Sequence, residues 1–363
     1  MNEEKKRILS LVEEGKITAS EALTLLELLE QEKQHNQEKE KEMITELSTV
    51  VVLDEEEKKE QKTEKKVASA KDMILDFVDN IFTKVKDLDL NFTKHTEINH
   101  IFHDQSSTFD EINIEVANGN VEVVSWDQPG VKIECEAKVY RTEDQTEARK
   151  MLLDEITFDV KDSKLYYIVG QKWIRVHSKI YVPSSQYEKV RLRLFNGTIA
   201  ASQLQVEQFK AKTANGKITL DHIVSKSASV ETANGNIDLN DIHIDKFDCE
   251  TINGSVNSKG TFEYAEIETF NGGIYVKDFN EKAKNIHAKS TSGSIAITVP
   301  QNIIVVGEAR SNLGGLHVDV QGMKIIDEKK EVVQKFMKFD NEQNEDLKVY
   351  VDSRTGSVSV LQK

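Results

Sequence analysis

The chain has 363 residues, 38% of them apolar, a formal net charge of −15 and two cysteines. That acidic balance argues against a nucleic-acid backbone as partner. Two cysteines exclude a disulfide framework, and Cys135 and Cys249, both on strand-like segments, are expected to be buried free thiols. The opening MNEEKKRILS has no apolar stretch behind its charges, and no apolar run is long enough to span a bilayer. The expectation is a cytoplasmic protein, with at most peripheral membrane contact.

Residues 1–31 read as a helical hairpin. Ile8, Leu11 and Val12 share one face of a first helix, Gly15 stands where a left-handed residue closes it, and Thr18-Ala-Ser-Glu21 forms a capping box. A second helix places Ala22, Leu25, Leu26 and Leu29 in a stripe. So small a pair cannot bury both leucine faces itself, so Leu11, Val12, Leu25, Leu26 and Leu29 are candidate contacts for self-association or for a protein partner. A DNA-reading helix-turn-helix fits poorly, because residues 3–30 carry seven Glu against Lys5, Lys6, Arg7 and Lys16.

Residues 32–66, rich in Glu, Lys and Gln, read as a helical extension followed by a charged linker. An amphipathic helix is expected over 67–90, with Ile74, Leu75, Val78, Ile81, Phe82, Val85 and Leu88 on one face. Its acidic polar face suits capping the end of a β-domain better than lying on an anionic membrane.

A repeat fills 108–363. Asn-Gly returns at 196, 215, 234, 253 and 271, at intervals of 19, 19, 19 and 18 residues. Two, four and six residues before the Asn lie Thr213, Ala211, Phe209, then Thr232, Val230, Ala228, and so on through Thr269. Two and four past the Gly lie Ile218 and Leu220, Ile237 and Leu239, Ile274 and Val276. Alternation on both sides of a turn predicts two short strands facing one core. A leucine-rich repeat needs an apolar residue three before the Asn, where this chain has Arg193, Lys212, Glu231, Glu250 and Glu268. Stacked coils of a β-solenoid fit the period, and a meander of hairpins buries the same residues. In either, positive φ at Asn-Gly is the reason the pair is expected there. Weaker copies appear around Asn118-Gly119, Ser292-Gly293, Gly314-Gly315 and Thr355-Gly356. Residues 142–183 interrupt the array as a helix capped by Thr142 and two or three strands ending in Val182-Pro183.

Motifs for catalysis or cofactors are missing: there is no P-loop, dinucleotide fingerprint, His-Glu-x-x-His, Cys-x-x-Cys or nucleophile elbow. No cofactor, metal or catalytic residue is assigned. The alternative is a carbohydrate-active solenoid cleaving acidic glycans with Asp221, Asp238, Asp241, Asp245 and Asp278 near repeat corners; turn residues bonding their own backbone explain the same aspartates. Phe195, Ile252 and Phe270 precede the Asn, and Tyr275 projects from an outer strand position. Stacked, they form a ridge able to hold a glycan or peptide, or they pad a corner between coils.

The Asn-Gly-x-Ile-x-Leu repeats with Val182-Pro183 resemble the bacterial β-strand-repeat domain labelled "putative adhesin". The leading ILSLVEEGKITASEALTLLELL resembles the SHOCT-like helical domain that precedes it in YvlB-like and LiaX-like proteins of Gram-positive bacteria. The resemblance implies a right-handed β-helix, an association with the cell-envelope stress response and no known enzymatic activity. A non-enzymatic binding or regulatory protein is the function expected, and the adhesin label names a domain rather than a mechanism.

Overall fold

The computed structural model describes residues 3–51, 94–277, 282–301, 303–341 and 347–363. The helix expected over 67–90, the linker beyond residue 51, and Asp278 lie outside these residues. Contacts divide the chain into two compact units, one of Met1–Glu40 with Ser225–Lys363 and one of Lys41–Val224.

Helix α1 (Glu3–Glu13) and helix α2 (Ala19–Ser48) form as local chemistry directs. Gly15 has φ 69°, and the Lys16 N–H returns to the Leu11 carbonyl at 2.9 Å. The Glu21 N–H donates to Thr18 Oγ1 at 3.2 Å while the Thr18 N–H donates to the Glu21 carboxylate at 2.7 Å, closing the capping box. No Gly or Pro interrupts the chain after Ala19, and α2 runs for 30 residues, well beyond the hairpin.

In the second unit, β1 (Thr96–Asp104), β2 (Glu111–Trp126) and β3 (Val131–Val139) precede helix α3 (Gln145–Glu155). Next come β4 (Ile156–Lys161), β5 (Lys164–Val169), β6 (Ile174–Pro183), β7 (Gln186–Asn196) and β8 (Ile199–Asn215). Asp144, rather than Thr142, caps α3 by accepting the Glu147 N–H at 2.7 Å. Thr142 sits two residues outside and accepts the Asp144 N–H at 3.2 Å. The 142–183 segment is woven into the main sheet, since β5 and β6 both pair in parallel with β2.

Strand β9 (Ile218–Asn234) spans the boundary of the units. The first unit then holds β10 (Ile237–Asn253), β11 (Val256–Asn271), β12 (Ile274–Lys277), β13 (Asn285–Ser292) and β14 (Ile295–Val299). It ends with β15 (Val305–Ser311), β16 (Leu316–Asp319), β17 (Lys324–Lys330), β18 (Lys335–Asp340), β19 (Leu347–Ser353) and β20 (Val358–Gln362).

Strand pairing decides between the two β-readings. Asn196 pairs with Asn215 and Asn253 with Asn271, each across parallel neighbours, so successive copies stack as coils of a β-solenoid instead of folding into hairpins. A second corner recurs at the same period, with left-handed φ at Gln203 (57°) and His222 (51°) in one unit and at Asp241 (47°) in the other. Inside, Ile237, Leu239, Ile242, Ile244, Phe247 and Cys249 are buried in a single coil.

Gly119 and Gly197 have the expected positive φ, 135° and 139°, but the later Asn-Gly turns need glycine for another reason. Gly216, Gly254 and Gly272 do not have positive φ. A Cβ on Gly254 would stand 1.9 Å from the carbonyl oxygen of Gly235 in the coil before, and one on Gly272 would stand 1.9 Å from that of Gly254. Glycine is required because the neighbouring coil leaves no room for a side chain. The Asn residues serve the stack too: Asn253 Nδ2 donates to Asn234 Oδ1 and Asn271 Nδ2 to Asn253 Oδ1, both at 2.8 Å. The Thr two before each Asn turns its hydroxyl inward. Thr251 donates to the Gly235 carbonyl at 2.9 Å, Thr269 to Gly254 at 2.8 Å and Ser290 to Gly272 at 3.0 Å.

The coils do not follow chain order at the C-terminus. The last coil, β19–β20, lies between β13–β14 on one side and β15–β16 on the other, in parallel with both. Its Ser353 donates to the Gly293 carbonyl at 2.8 Å, and Ser311 donates to its Gly356 carbonyl at 2.9 Å. Beyond it, β18 pairs antiparallel with β15, and β17 pairs antiparallel with β18.

Gly254→Ala is expected to lower the unfolding midpoint well beyond Gly15→Ala. The latter meets no atom within 4 Å and bears only the left-handed penalty of about 1 kcal/mol. Thermal melts ranking the two variants the other way would remove the close-approach explanation.

Candidate functional site

The outward position three residues before each turn Asn carries charge, and parallel stacking sets these charges about 4.8 Å apart. In the first unit Glu250 lies beside Glu268, and Asp248 beside Glu266. Like charges directly opposite each other are unfavourable. Burial, and then the surrounding Glu231, Glu266, Glu250 and Glu268, push the Asp248 carboxyl above its ordinary pKa.

Relief comes from α2. Lys39 donates to Glu250 at 2.9 Å and lies 3.7 Å from Glu268, so one ammonium bridges two stacked carboxylates. Burial works against this ammonium, but the hydrogen bond and charge of Glu250, with Glu268, outweigh it and raise its pKa. Two turns earlier on the same helix face, Glu32 pairs with Arg354, with Lys289 adding positive charge from the strand between. Burial pushes the Glu32 carboxyl up, more than Arg354 and Lys289 pull it down. Its Oε2 is buried and has no hydrogen-bond partner.

The spacing is geometric. Seven helical residues advance about 10.5 Å, and two strand steps advance about 9.6 Å. Lys39 meets the β10/β11 pair and Glu32 the β13/β19 pair, two steps along. Glu46, seven residues beyond Lys39, meets a positive pair in the second unit. It accepts from Lys212 Nζ at 2.5 Å, while Arg193 donates to its carbonyl and to Thr49 Oγ1, each at 3.0 Å.

Between α2 and the strands lies a small cleft of about 70 Å³, lined in part by Asn36, Lys39, Ile252, Phe270 and Lys289. Two sequence candidates, Ile252 and Phe270, thus meet here under the helix. Leu11, Val12, Leu25, Leu26 and Leu29 also come together, packed with Ile8, Ile17 and Ala22 against Leu313 and Val333 of the β-domain. The stripe expected to seek a partner is therefore covered within the chain. The hairpin leucines left open are Leu9, Leu23 and Leu28, at 42%, 58% and 39% exposure. Phe195 is buried in the other unit, and Tyr275 stands exposed on β12.

Three of the corner aspartates have local duties. Asp238 accepts from Asn257 Nδ2 at 2.7 Å, Asp241 occupies the left-handed corner, and Asp221 contacts His222 Nδ1 at 2.9 Å. Among the described residues no group of three or more His, Cys, Asp or Glu is placed to hold a metal ion. Cys135 and Cys249 are buried free thiols.

Glu32, Lys39, Lys289 and Arg354 escaped the sequence reading. Their signal was present: acid, base and acid at 32, 39 and 46, and alternating charge blocks three before each turn. Those blocks served only to exclude a leucine-rich repeat, and 32–48 read as an extension without a face.

Residues 105–360 match the family described as Toastrack DUF4097, and residues 3–34 match a SHOCT-like domain. The chain is 41% identical over 364 residues to a Bacillus subtilis (strain 168) protein named "Uncharacterized protein YvlB", covering 99% of each. A crystal structure of a "putative adhesin" from Parabacteroides distasonis ATCC 8503 aligns over 74% of this chain and 97% of its own, at 12% identity and a TM-score of 0.44. Another "putative adhesin", from Parabacteroides merdae ATCC 43184, aligns over the same 74% and 97% at 13% identity and a TM-score of 0.40. Among the described residues no helix is long and apolar enough to cross a membrane.

The raised pKa of Glu32 gives a signed prediction. A carboxyl whose folded pKa exceeds the unfolded value, about 4.3, binds its proton more tightly when folded. Its linked stability is therefore full below the unfolded value and falls as pH rises to the folded one. Glu32→Gln, which cannot ionise, should gain stability relative to the parent as pH rises through that window and then hold level. Denaturant titrations at a series of pH values read this, and a difference independent of pH would contradict the assignment.

Proposed function

This chain belongs to the Toastrack DUF4097 family and carries a SHOCT-like domain, and from that premise we propose a non-enzymatic binding or regulatory protein acting in the cell-envelope stress response. The β-solenoid is the rigid scaffold, and the helical hairpin docks a protein partner. The observation that carries this reading is the hairpin itself. One apolar face is spent on Leu313 and Val333, while Leu9, Leu23 and Leu28 stay exposed outside it. Of the aspartates near the repeat corners, Asp238 and Asp241 are engaged in strand stacking and a backbone corner, which favours the non-enzymatic reading.

Crosslinking in native cells challenged with an envelope-active peptide tests the proposal. The full-length chain should capture a defined envelope protein. Leu23→Asp with Leu28→Asp should cut that capture at least tenfold and leave the melting temperature unchanged, because both side chains are exposed. Equal capture by the double variant would sink the docking role.

A further inference from the structure

The arm formed by α1 and α2 ends in the second unit, over the strip of outward charge three residues before the turn. Glu46 accepts from Lys212 on β8, and Thr49, three residues on, accepts from Arg193 on β7. Three residues of helix advance about 4.5 Å and one strand step about 4.8 Å, so α2 crosses the strands along this row. Two more outward rows lie beside it, each about 6.7 Å from the last. Register places Tyr166, Asn113, Arg191 and Lys210 in the nearer, and Lys164, Glu111, Lys189 and Gln208 in the farther, on β5, β2, β7 and β8 in turn. The three rows carry six cations against Glu111 and Glu115, on a chain whose net charge is −15. Strand β4 adds Lys161 and Asp159, which cancel. Glu111 pairs with Lys164, Glu115 with Arg193 and Glu46 with Lys212. Among the described residues Lys189 and Arg191 form no ion pair, and Arg191 lies opposite Lys210, a like-charge contact. The hydrogen bond to Glu111 raises the pKa of Lys164, and the charge of Arg191 works against it.

We propose that these two rows seat an acidic helix of a partner protein, lying alongside α2. Packed helices lie about 8–10 Å apart, which sets the incoming axis between the two rows and within reach of both. Lys164 and Lys189 are two strand steps apart, about 9.6 Å. Carboxylates seven residues apart on a helix, about 10.5 Å, meet both, and one four residues further on reaches Lys210 of β8. The partner would do for Lys189 and Arg191 what Glu46 of α2 does for Lys212 and Arg193 in the row already covered. An added strand has no place here, because β5, β2 and β7 each have a paired strand on both sides. A bilayer has no apolar foothold on it, because the large apolar side chains exposed in this unit, Ile101, Leu153 and Val224, belong to β1, α3 and β9. This surface is separate from the exposed leucines of the hairpin, and the inference does not depend on their docking role.

Fluorescence anisotropy on the full-length chain tests the assignment. The probe is a labelled, alanine-based helical peptide with Glu at i, i+7 and i+11 repeated along one face. The control peptide has the same residues redistributed around the helix. At low salt the first peptide should bind at least tenfold tighter than the second, and added salt should weaken it. Arg191→Glu should cost at least tenfold in affinity. Lys259→Glu, the same charge change at an exposed site on β11 of the other unit, should leave binding unaltered. Should Arg191→Glu fail to fold, Lys189→Glu decides, since that side chain is exposed. Equal binding of the two peptides overturns the proposal, as does an equal loss from Lys259→Glu, which would report net charge alone. Polyphosphate or phosphatidylglycerol vesicles that bind more tightly than the helical peptide, and lose that binding in Arg191→Glu, would assign the face to another occupant and overturn it too. Failure here with envelope capture intact removes this surface alone, whereas loss of capture in the Leu23 and Leu28 variant leaves it standing.

Discussion

In-register parallel stacking is the constraint from which the rest of the structure follows. When coil lies on coil, each position meets its own counterpart about 4.8 Å away, and a residue is acceptable only if copies of it tolerate one another. Glycine at the turn satisfies this by having no side chain, since the neighbouring glycine carbonyl would lie 1.9 Å from a Cβ at Gly254. Asparagine satisfies it by donating to the asparagine before it and accepting from the one after, as Asn253 does between Asn234 and Asn271. Threonine satisfies it by covering the glycine carbonyl of the adjacent coil, as Thr251 and Thr269 do. Three residue types at one corner thus answer one geometric demand.

The same rule turns surface charge into a liability. A glutamate repeated at one position becomes a column of like charge, and the Asp248, Glu250, Glu266 and Glu268 group is such a column. Helix α2 resolves it with few side chains, because a helix and a stack of strands have nearly commensurate repeats: seven residues against two coils. Lys39 and Glu32 therefore fall on opposite-charge pairs without bending the helix. Half-buried ion pairs of this kind lose to desolvation much of what they gain by attraction. Their value is register, since sliding the helix by two coils one way would set Lys39 against Arg354, and sliding it the other way would set Glu32 against Glu250. The leucine stripe at the far end supplies the apolar burial that holds the arm.

Much of the fold was legible because a repeat reports itself many times. The alternation of Ile237, Leu239, Cys249 and Thr251 marked the inward face, and Thr18 with Glu21 marked the start of α2. The glycines were located correctly, but the expected positive φ holds at Gly119 and Gly197 and not at Gly216, Gly254 and Gly272: a sequence shows that a residue without Cβ is needed, but not whether backbone angle or a neighbour's carbonyl demands it. Ile252 and Phe270 were picked out as a corner pair, while the helix that covers them was out of sight because its partners lie more than two hundred residues away in the chain.

The sequence by itself determined the coil length, the inward residues, the turn positions and the helical hairpin, since each is a local pattern written in periodicity and capping chemistry. Tertiary structure alone decided parallel stacking over hairpins, because both bury the same residues and differ only in which backbone groups pair. It alone placed the last coil, β19–β20, between two coils that precede it in the chain, because periodicity carries no information on the order in which equivalent units stack. And it alone joined the charges of α2 to those of the strip, because an ion pair depends on distance in space, which chain separation does not give.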